Sequence, residues 1–202
     1  MKRLVDVLGS SAALLLLSPI MVLLAILIFA DMGSPVVFRQ RRAGRYGRPF
    51  EILKFRTMRD TRDDSGALIP DEKRVTRLGH FLRSTSLDEL PGLVNVLRGE
   101  MSLVGPRPLY VEYLEHYTAH EARRHDVRPG ITGLAQVTGR NALSWEAKLA
   151  LDVRYVEEHN MWMDIAIMLR TVSKVLKRQD VTVITGGNRR LDVLRSQRSK
   201  HT

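Results

Sequence analysis

The chain opens on one long apolar stretch. From Val7 to Ala30 there is no charged residue, and Leu14 to Leu17 and Met21 to Phe29 are almost wholly apolar. These ~24 residues, at ~1.5 Å each, predict a helix of ~36 Å, enough to cross a bilayer core. Beyond it the pattern becomes that of a soluble α/β domain. Val36-Val37-Phe38 and Phe50 to Phe55 read as short strands, and the Gly- and Arg-rich Ala43 to Pro49 joins them as a hairpin. In the second strand Ile52, Lys54 and Arg56 share a face. Asp60 to Lys73 is polar and reads as a loop, and Arg74 to Arg83 has helical spacing with Leu78, Phe81 and Leu82 on one side. A further helix is expected to start near Ser86-Leu87-Asp88-Glu89-Leu90-Pro91. Ser86 and Glu89 have capping-box spacing, but Pro91 suits Asp88 as the cap equally well; either choice puts both carboxylates in the first turn.

Gly105-Pro106-Arg107-Pro108 is rigid and extended, and Leu109 to Arg124 reads as an amphipathic helix rich in Tyr and His. Arg128 to Asn141 is turn-rich, and helices are expected at Trp145 to His159 and Met161 to Lys177. In the last, Met161, Trp162, Ile165, Met168, Leu169, Val172 and Leu176 form one broad apolar face. Such a face packs on a core or lies in a membrane interface, and its Trp, Met and basic residues suit both.

Charge refines the reading of the anchor. Ser18-Pro19 interrupts the apolar run, and proline removes a backbone donor, so a kink or break is expected there. Lys2 and Arg3 precede the run, and Arg39, Arg41, Arg42, Arg45 and Arg48 follow it. Basic flanks favour the cytoplasmic side, which suits a helix that breaks, dips into one leaflet and returns better than a straight span. A secretory signal would carry a shorter apolar run and a small-x-small cleavage site, which "LIFADMG" does not offer.

Over the 202 residues, 32 Lys and Arg against 22 Asp and Glu give a net charge of +10, which implies an anionic partner. Cysteine is absent, so disulfides and thiolate metal sites are excluded, and no zinc site is expected from the six scattered His residues. Nucleic acid is disfavoured: the basic residues do not gather on one helix face, and no interleaved aromatic platform is evident. A membrane-anchored basic domain binding nucleic acid or anionic lipid without chemistry is the competing class.

Two acidic residues at a helix start are ordinary, since they favour the positive end of the helix dipole. Their company gives Asp88 and Glu89 more weight. Arg83 lies five residues upstream, and Lys54, Arg56, Arg107, Arg128 and Arg140 recur in turns or at strand ends, as a diphosphate cradle requires. Such a site can pair one carboxylate with Mg²⁺ and phosphate oxygens and use another as nucleophile.

"KFRTM" (Lys54 to Met58), "RSTSLDELPGLVNVLRGEMSLVGPRP" (Arg83 to Pro108) and "RPGITGLAQVTGRN" (Arg128 to Asn141) strongly resemble the bacterial sugar transferases, the monotopic phosphoglycosyl transferases. The short chain and "GRNALSWEAKLALDVRYV" (Gly139 to Val156) look like the small PglC-type members. The resemblance implies an α/β fold, mainly helical with a small hairpin. Residues 1–34 would form a re-entrant helix-break-helix anchor broken at Ser18 and Pro19, residues 35–180 one catalytic domain, and 181–202 a basic, flexible tail. It implies that Asp88 attacks the β-phosphate of a UDP-sugar and releases UMP, and that polyprenyl phosphate then takes the phospho-sugar. Glu89 would hold Mg²⁺, Arg83 and Lys54 would neutralise phosphates, and Arg107, between Pro106 and Pro108, would bind nucleotide-sugar with Arg140. Arg56, Arg128 and Gln136 join the candidate substrate-binding set; Arg128, Gln136 and Asp152 sit in family-like strings, where capping or packing explains each equally well. The expected sugar is an N-acetylated amino sugar such as UDP-N,N'-diacetylbacillosamine. The expected setting is the cytoplasmic face of the bacterial inner membrane, at the first membrane step of glycoconjugate biosynthesis. Membrane lipid, downstream glycosyltransferases and a second copy in a homodimer are the expected partners.

Overall fold

The computed structural model describes residues 1–139, 143–177, 191 and 193–195. The apolar run folds as a single helix, α1 (Lys2–Met32), with Pro19 inside it. The expected break at Ser18-Pro19 is therefore not an interruption of the helix, and the reason is local. Pro19 has no amide to offer the carbonyl four residues back, which is that of Leu15. The Ser18 hydroxyl donates to that carbonyl instead, at 2.8 Å. A neighbouring Ser thus fills the acceptor that proline orphans, which matters most where no water can do so.

Both ends of α1 are fastened to the same body. Near its start Arg3 donates to the carbonyls of Val96 and Leu97 at 2.6 and 2.8 Å. Asp6, 3% exposed, accepts from the Ser102 hydroxyl at 2.9 Å and the Leu103 amide at 3.0 Å. Towards its end Leu24 and Ile28 are buried against Phe55 and Leu82, and Asp31 pairs with Arg59 at 2.7 Å. Between these attachments Leu15, Leu16, Val22, Leu23 and Ile26 stand bare.

β1 (Val37–Ala43) and β2 (Pro49–Phe55) form the expected hairpin, antiparallel, with Phe38 opposite Lys54, Gln40 opposite Ile52 and Arg42 opposite Phe50. That register sets Arg42 and Lys54 on one face. Two short helices follow, α2 (Asp71–Arg74) and α3 (Arg77–Ser84), the latter capped by Thr76, whose hydroxyl accepts from the Gly79 amide at 3.0 Å. Next come a 3₁₀ turn (Leu87–Glu89) and α4 (Gly92–Arg98). Asn95 of α4 is fully buried and grips the hairpin. Its Oδ1 accepts from the Leu53 amide at 3.0 Å, and its Nδ2 donates to the Glu51 carbonyl at 2.7 Å.

A second, parallel pair joins β3 (Ser102–Val104) to β4 (Gly130–Thr132). The segments flanking it run so close that a Cβ on Gly130 would stand 2.1 Å from the Gly105 amide nitrogen. Only glycine fits there. Between the strands the expected helix from Leu109 to Arg124 is instead three pieces: a 3₁₀ turn (Val111–His116), α5 (Ala119–Ala122) and a 3₁₀ turn (Arg123–His125). Thr118 and Glu121 make a capping box that starts α5 afresh. Tyr110 and Tyr113, three residues apart, pack edge to face with centroids 5.5 Å apart, a spacing that suits the 3₁₀ repeat.

The remaining helices are α6 (Leu134–Thr138), α7 (Trp145–Glu158) and α8 (Met161–Lys177). The apolar face of α8 divides. Met163, Ile167 and Met168 pack with Val104, Val137 and Tyr155, while Trp162, Ile165, Leu169 and Val172 remain exposed, Trp162 by 80%. In the tail, Leu191 is buried with Tyr113 and Leu149, and Arg195 pairs with Glu121; residues 181–190, 192 and 196–202, and Arg140, lie outside the described residues. The architecture is mainly helical, as expected, with a short parallel pair in addition to the expected hairpin.

Candidate active site

The two carboxylates stand ahead of α4 and not within it. Ser86, at the head of the 3₁₀ turn, has φ 58° and ψ 17°, a left-handed conformation that side chains other than glycine rarely adopt. Its side chain makes no cap, and neither does that of Asp88. Pro91 takes the position before Gly92, where its missing amide costs nothing. The capping roles weighed from sequence are thus both absent. The turn is instead a sharp corner that projects Asp88 and Glu89 from between α3 and α4.

Glu89 is locked. Its Oε1 accepts from Lys54 Nζ at 2.7 Å and from Arg107 Nη2 at 3.0 Å. Burial by itself would raise the Glu89 pKa, but the two cations outweigh it and hold the carboxyl well below the ordinary range. Asp88 is the opposite case. Among the described residues its carboxylate makes no side-chain hydrogen bond or ion pair. Desolvation, then the negative charge of Glu89, pushes its pKa up to about 6 against the pull of Lys54, Arg107 and Arg83. One carboxylate is fixed and ionised, and its neighbour is free and more basic.

A pocket opens beside Glu89, walled by Arg42, Lys54, Arg107 and Pro108 and floored by Ile52, Met101, Gly130 and Ile131. Asp88 does not line it. Three cations at one end and apolar groups beneath suit an anion attached to a flat or apolar body. Arg83 approaches from α3, where its Nε donates to the Thr57 hydroxyl at 3.0 Å.

Of the residues expected from sequence, the fold gathers Lys54, Arg83, Asp88, Glu89, Arg107 and Pro108. Others do different work. Arg56 is 9% exposed and spends its guanidinium on the carbonyls of Met32, Ser34 and Met58 and on the Asp60 carboxylate, tying the exit of α1 to β2. Arg128 donates to the Gly99 carbonyl at 2.8 Å, closing the end of α4. Gln136 donates to the Ile131 carbonyl at 3.0 Å behind the pocket floor. Pro106 is buried, and its carbonyl accepts from the Gly130 amide at 2.9 Å.

Arg42 was not expected in the site. Its guanidinium lies 3.7 Å from the centre of the Tyr110 ring. Alternation from Lys54 across the hairpin points to it, once the register is known. Arg124 was also missed: nothing in "EARRHD" separates it from the exposed Arg123.

Known proteins are similar to this chain in sequence. The profile of the family described as "Bacterial sugar transferase" matches residues 1–178. A Bacillus subtilis protein, "Uncharacterized sugar transferase EpsL", is 49% identical over 181 residues, 90% of either chain. The "UDP-glucose:undecaprenyl-phosphate glucose-1-phosphate transferase" of Caulobacter vibrioides is 42% identical over 185 residues, 87% of this chain and 69% of that one. The "UDP-galactose-lipid carrier transferase" of Erwinia amylovora is 41% identical over 195 residues, but these make up 88% of this chain and only 41% of that larger protein.

Proposed function

This chain belongs to the bacterial sugar transferase family, and from that premise we propose that it moves a phospho-sugar from a UDP-sugar to undecaprenyl phosphate through a covalent bond to Asp88. The observation that carries the reading is the contrast within the dyad, a free carboxylate beside one fixed by Lys54 and Arg107. In the first half-reaction an Asp88 carboxylate oxygen attacks the β-phosphorus. The Oδ–P bond forms, the bond from that phosphorus to the bridging oxygen breaks, and UMP leaves with the electron pair. Lys54, Arg107 and Arg83 offset the charge that otherwise repels one anion from another. In the second half-reaction a phosphate oxygen of the lipid carrier attacks the same phosphorus, and Asp88 leaves as a carboxylate. The pocket with Arg42 and its apolar floor receives the nucleotide end.

Mg²⁺ fits this donor set. Among the described residues no group of three or more His, Asp or Glu side chains converges, so an ion must rely on one or two carboxylates and on phosphate oxygens, as Mg²⁺ habitually does. Glu89, through the oxygen that Lys54 and Arg107 leave untouched, is the residue to hold it; bound there, the ion would neutralise diphosphate charge.

The relatives named for glucose and galactose support a UDP-hexose as donor over the acetylated amino sugar expected from sequence. Attachment of α1 at both ends supports an anchor that stays on one side of the bilayer, since a rod leaving for the far leaflet cannot return its end to the same domain. The exposed Trp162, Ile165, Leu169 and Val172 of α8 then rest in the interface, and the basic flanks favour the cytoplasmic leaflet.

The test uses purified full-length protein, a panel of UDP-sugars including UDP-glucose and UDP-galactose, Mg²⁺ and undecaprenyl phosphate. UMP release is expected from wild type and not from Asp88→Asn. With UDP-sugar alone, rapid quench should find one phospho-sugar mass on the peptide bearing Asp88. Equal UMP release by both proteins, or a mass on another residue, overturns the role of Asp88.

A further inference from the structure

Arg107 stands between two prolines, which lack amide hydrogens. The Pro106-Arg107-Pro108 segment can therefore donate a backbone hydrogen bond only through Arg107, and its carbonyls become its handles. The Pro106 carbonyl is held by the Gly130 amide at 2.9 Å. The Arg107 carbonyl is held by a side chain, Arg124 Nη2, at 2.7 Å. Arg124 is 2% exposed, and its Nε and Nη2 also donate to Asp152 Oδ2 at 3.0 and 2.7 Å. Asp152, on α7, is 4% exposed. One guanidinium thus joins a helix carboxylate to the backbone of the residue whose own side chain grips Glu89.

Energetics make this pair informative. Removing two charges from water costs several kcal/mol per ion, and a well-packed apolar pair often serves stability as well or better. Stability by itself gives little reason for Arg124 and Asp152. Their geometry supplies another: Arg124 is a rigid fork with donors enough to hold Asp152 and the Arg107 carbonyl together, whereas a lysine ammonium is a point charge that does not reproduce the fork. The Arg107 side chain is 46% exposed and makes its ion pair with Glu89 at the pocket edge, so the backbone beneath it is what fixes its aim.

We propose that the buried Arg124–Asp152 pair is a positioning device for Arg107, setting its guanidinium against Glu89 and the phosphates of the nucleotide-sugar. The proposal rests on the role given to Arg107 above and adds residues that touch neither substrate nor the dyad. Because a displacement of about 1 Å in a positioned group costs up to about a hundredfold in rate, a loosened Arg107 should show chiefly as a raised KM for the UDP-sugar.

The test is a double-mutant cycle in the full-length enzyme, read by UMP release with whichever of UDP-glucose or UDP-galactose the wild type turns over. Arg124→Lys should lower kcat/KM about ten- to hundredfold, mostly through KM. In an Arg107→Ala background the same change should cost nothing further, because the residue being positioned is gone. The apolar pair Arg124→Met with Asp152→Leu should melt near the wild-type temperature yet show the same rise in KM, which guards against variants that merely fail to fold. A loss that persists in the Arg107→Ala background, or an apolar pair with wild-type KM, overturns the proposal. Should Arg107→Ala impair the enzyme while Arg124→Lys does not, the positioning role alone falls. Should Arg107→Ala leave kcat/KM unchanged, the role of Arg107 itself fails and this proposal falls with it.

Discussion

Asp88 and Glu89 are adjacent in sequence and opposite in condition, and the difference follows from which one the cations reach. Lys54 and Arg107 both donate to Glu89, so it stays ionised at any working pH. Asp88 feels burial and its neighbour's charge, and its carboxyl titrates near 6. The attack proposed for Asp88 needs the ionised form, so on that proposal kcat/KM for UMP release should fall as pH drops through about 6. Glu89→Gln removes the second cause of that rise, and the acid limb of its residual activity should move to lower pH. Stability runs the other way. The folded pKa lies above the unfolded value of 3.8, so the native state binds more protons between about pH 4 and 6 and loses stability as pH rises through that window. Asp88→Asn, which cannot ionise, should therefore be more stable at pH 7.5 by about 2 kcal/mol while losing activity on the order of 10³-fold or more. Thermal melts and UMP release on the same preparations check both halves.

At the scale of elements, the site depends on corners more than on helices. The 3₁₀ turn Leu87–Glu89 begins at left-handed Ser86 and ends where Pro91 opens α4, so neither flanking helix absorbs the carboxylates into its own capping. Asn95 bolts α4 to the edge of β2, which fixes Lys54 relative to Glu89. Opposite them, the close approach of Gly105 and Gly130 brings the Pro-Arg-Pro segment against β4. A methyl group on Gly130 would meet backbone atoms at 2.1 and 2.4 Å, and backbone cannot step aside as a side-chain tip can. Gly130→Ala should cost more than about 2 kcal/mol and lower activity with it; denaturant titration of the purified variant measures the first and UMP release the second.

The whole molecule carries two exposed apolar surfaces, one on α1 and one on α8. The bare residues of α1 and the exposed stripe of α8 are joined through Lys2, which pairs with Asp164 at the start of α8. Two exposed positions of that stripe, Leu169 and Val172, touch no core cluster, so charge there tests membrane contact without disturbing the fold. Leu169→Asp with Val172→Asp should leave the melting temperature within a degree or two and shift the protein from vesicles of anionic lipid towards the supernatant on sedimentation. Unchanged sedimentation would mean that α1 supplies the attachment by itself. Labels placed near Lys2 and near Arg45 should react from one side of the membrane, because both ends of α1 rest on one domain; reaction from opposite sides would restore a spanning helix.

Local chemistry made much of this readable in advance. A charge-free run of this length has to be a helix in an apolar setting, the alternation of Phe50 to Phe55 has to be a strand, and basic residues in Gly- and Pro-rich turns next to two carboxylates point to phosphate. Those inferences need only neighbours along the chain. What they could not supply was where each hydrogen bond goes. Arg56, Arg128 and Arg107 look alike in sequence, yet buried carbonyls claim the first two and only the third reaches Glu89. Pro19 reads as a break until Ser18 is seen to take over its acceptor. Arg42 enters the site through the register of a hairpin, and Arg124 through burial against a helix 28 residues further on. The sequence by itself determined the anchor, the hairpin and the dyad, because periodicity and backbone chemistry act over a few residues. Only the tertiary structure decided which cations reach the acidic pair and which hold the fold, because that depends on acceptors brought together from distant parts of the chain.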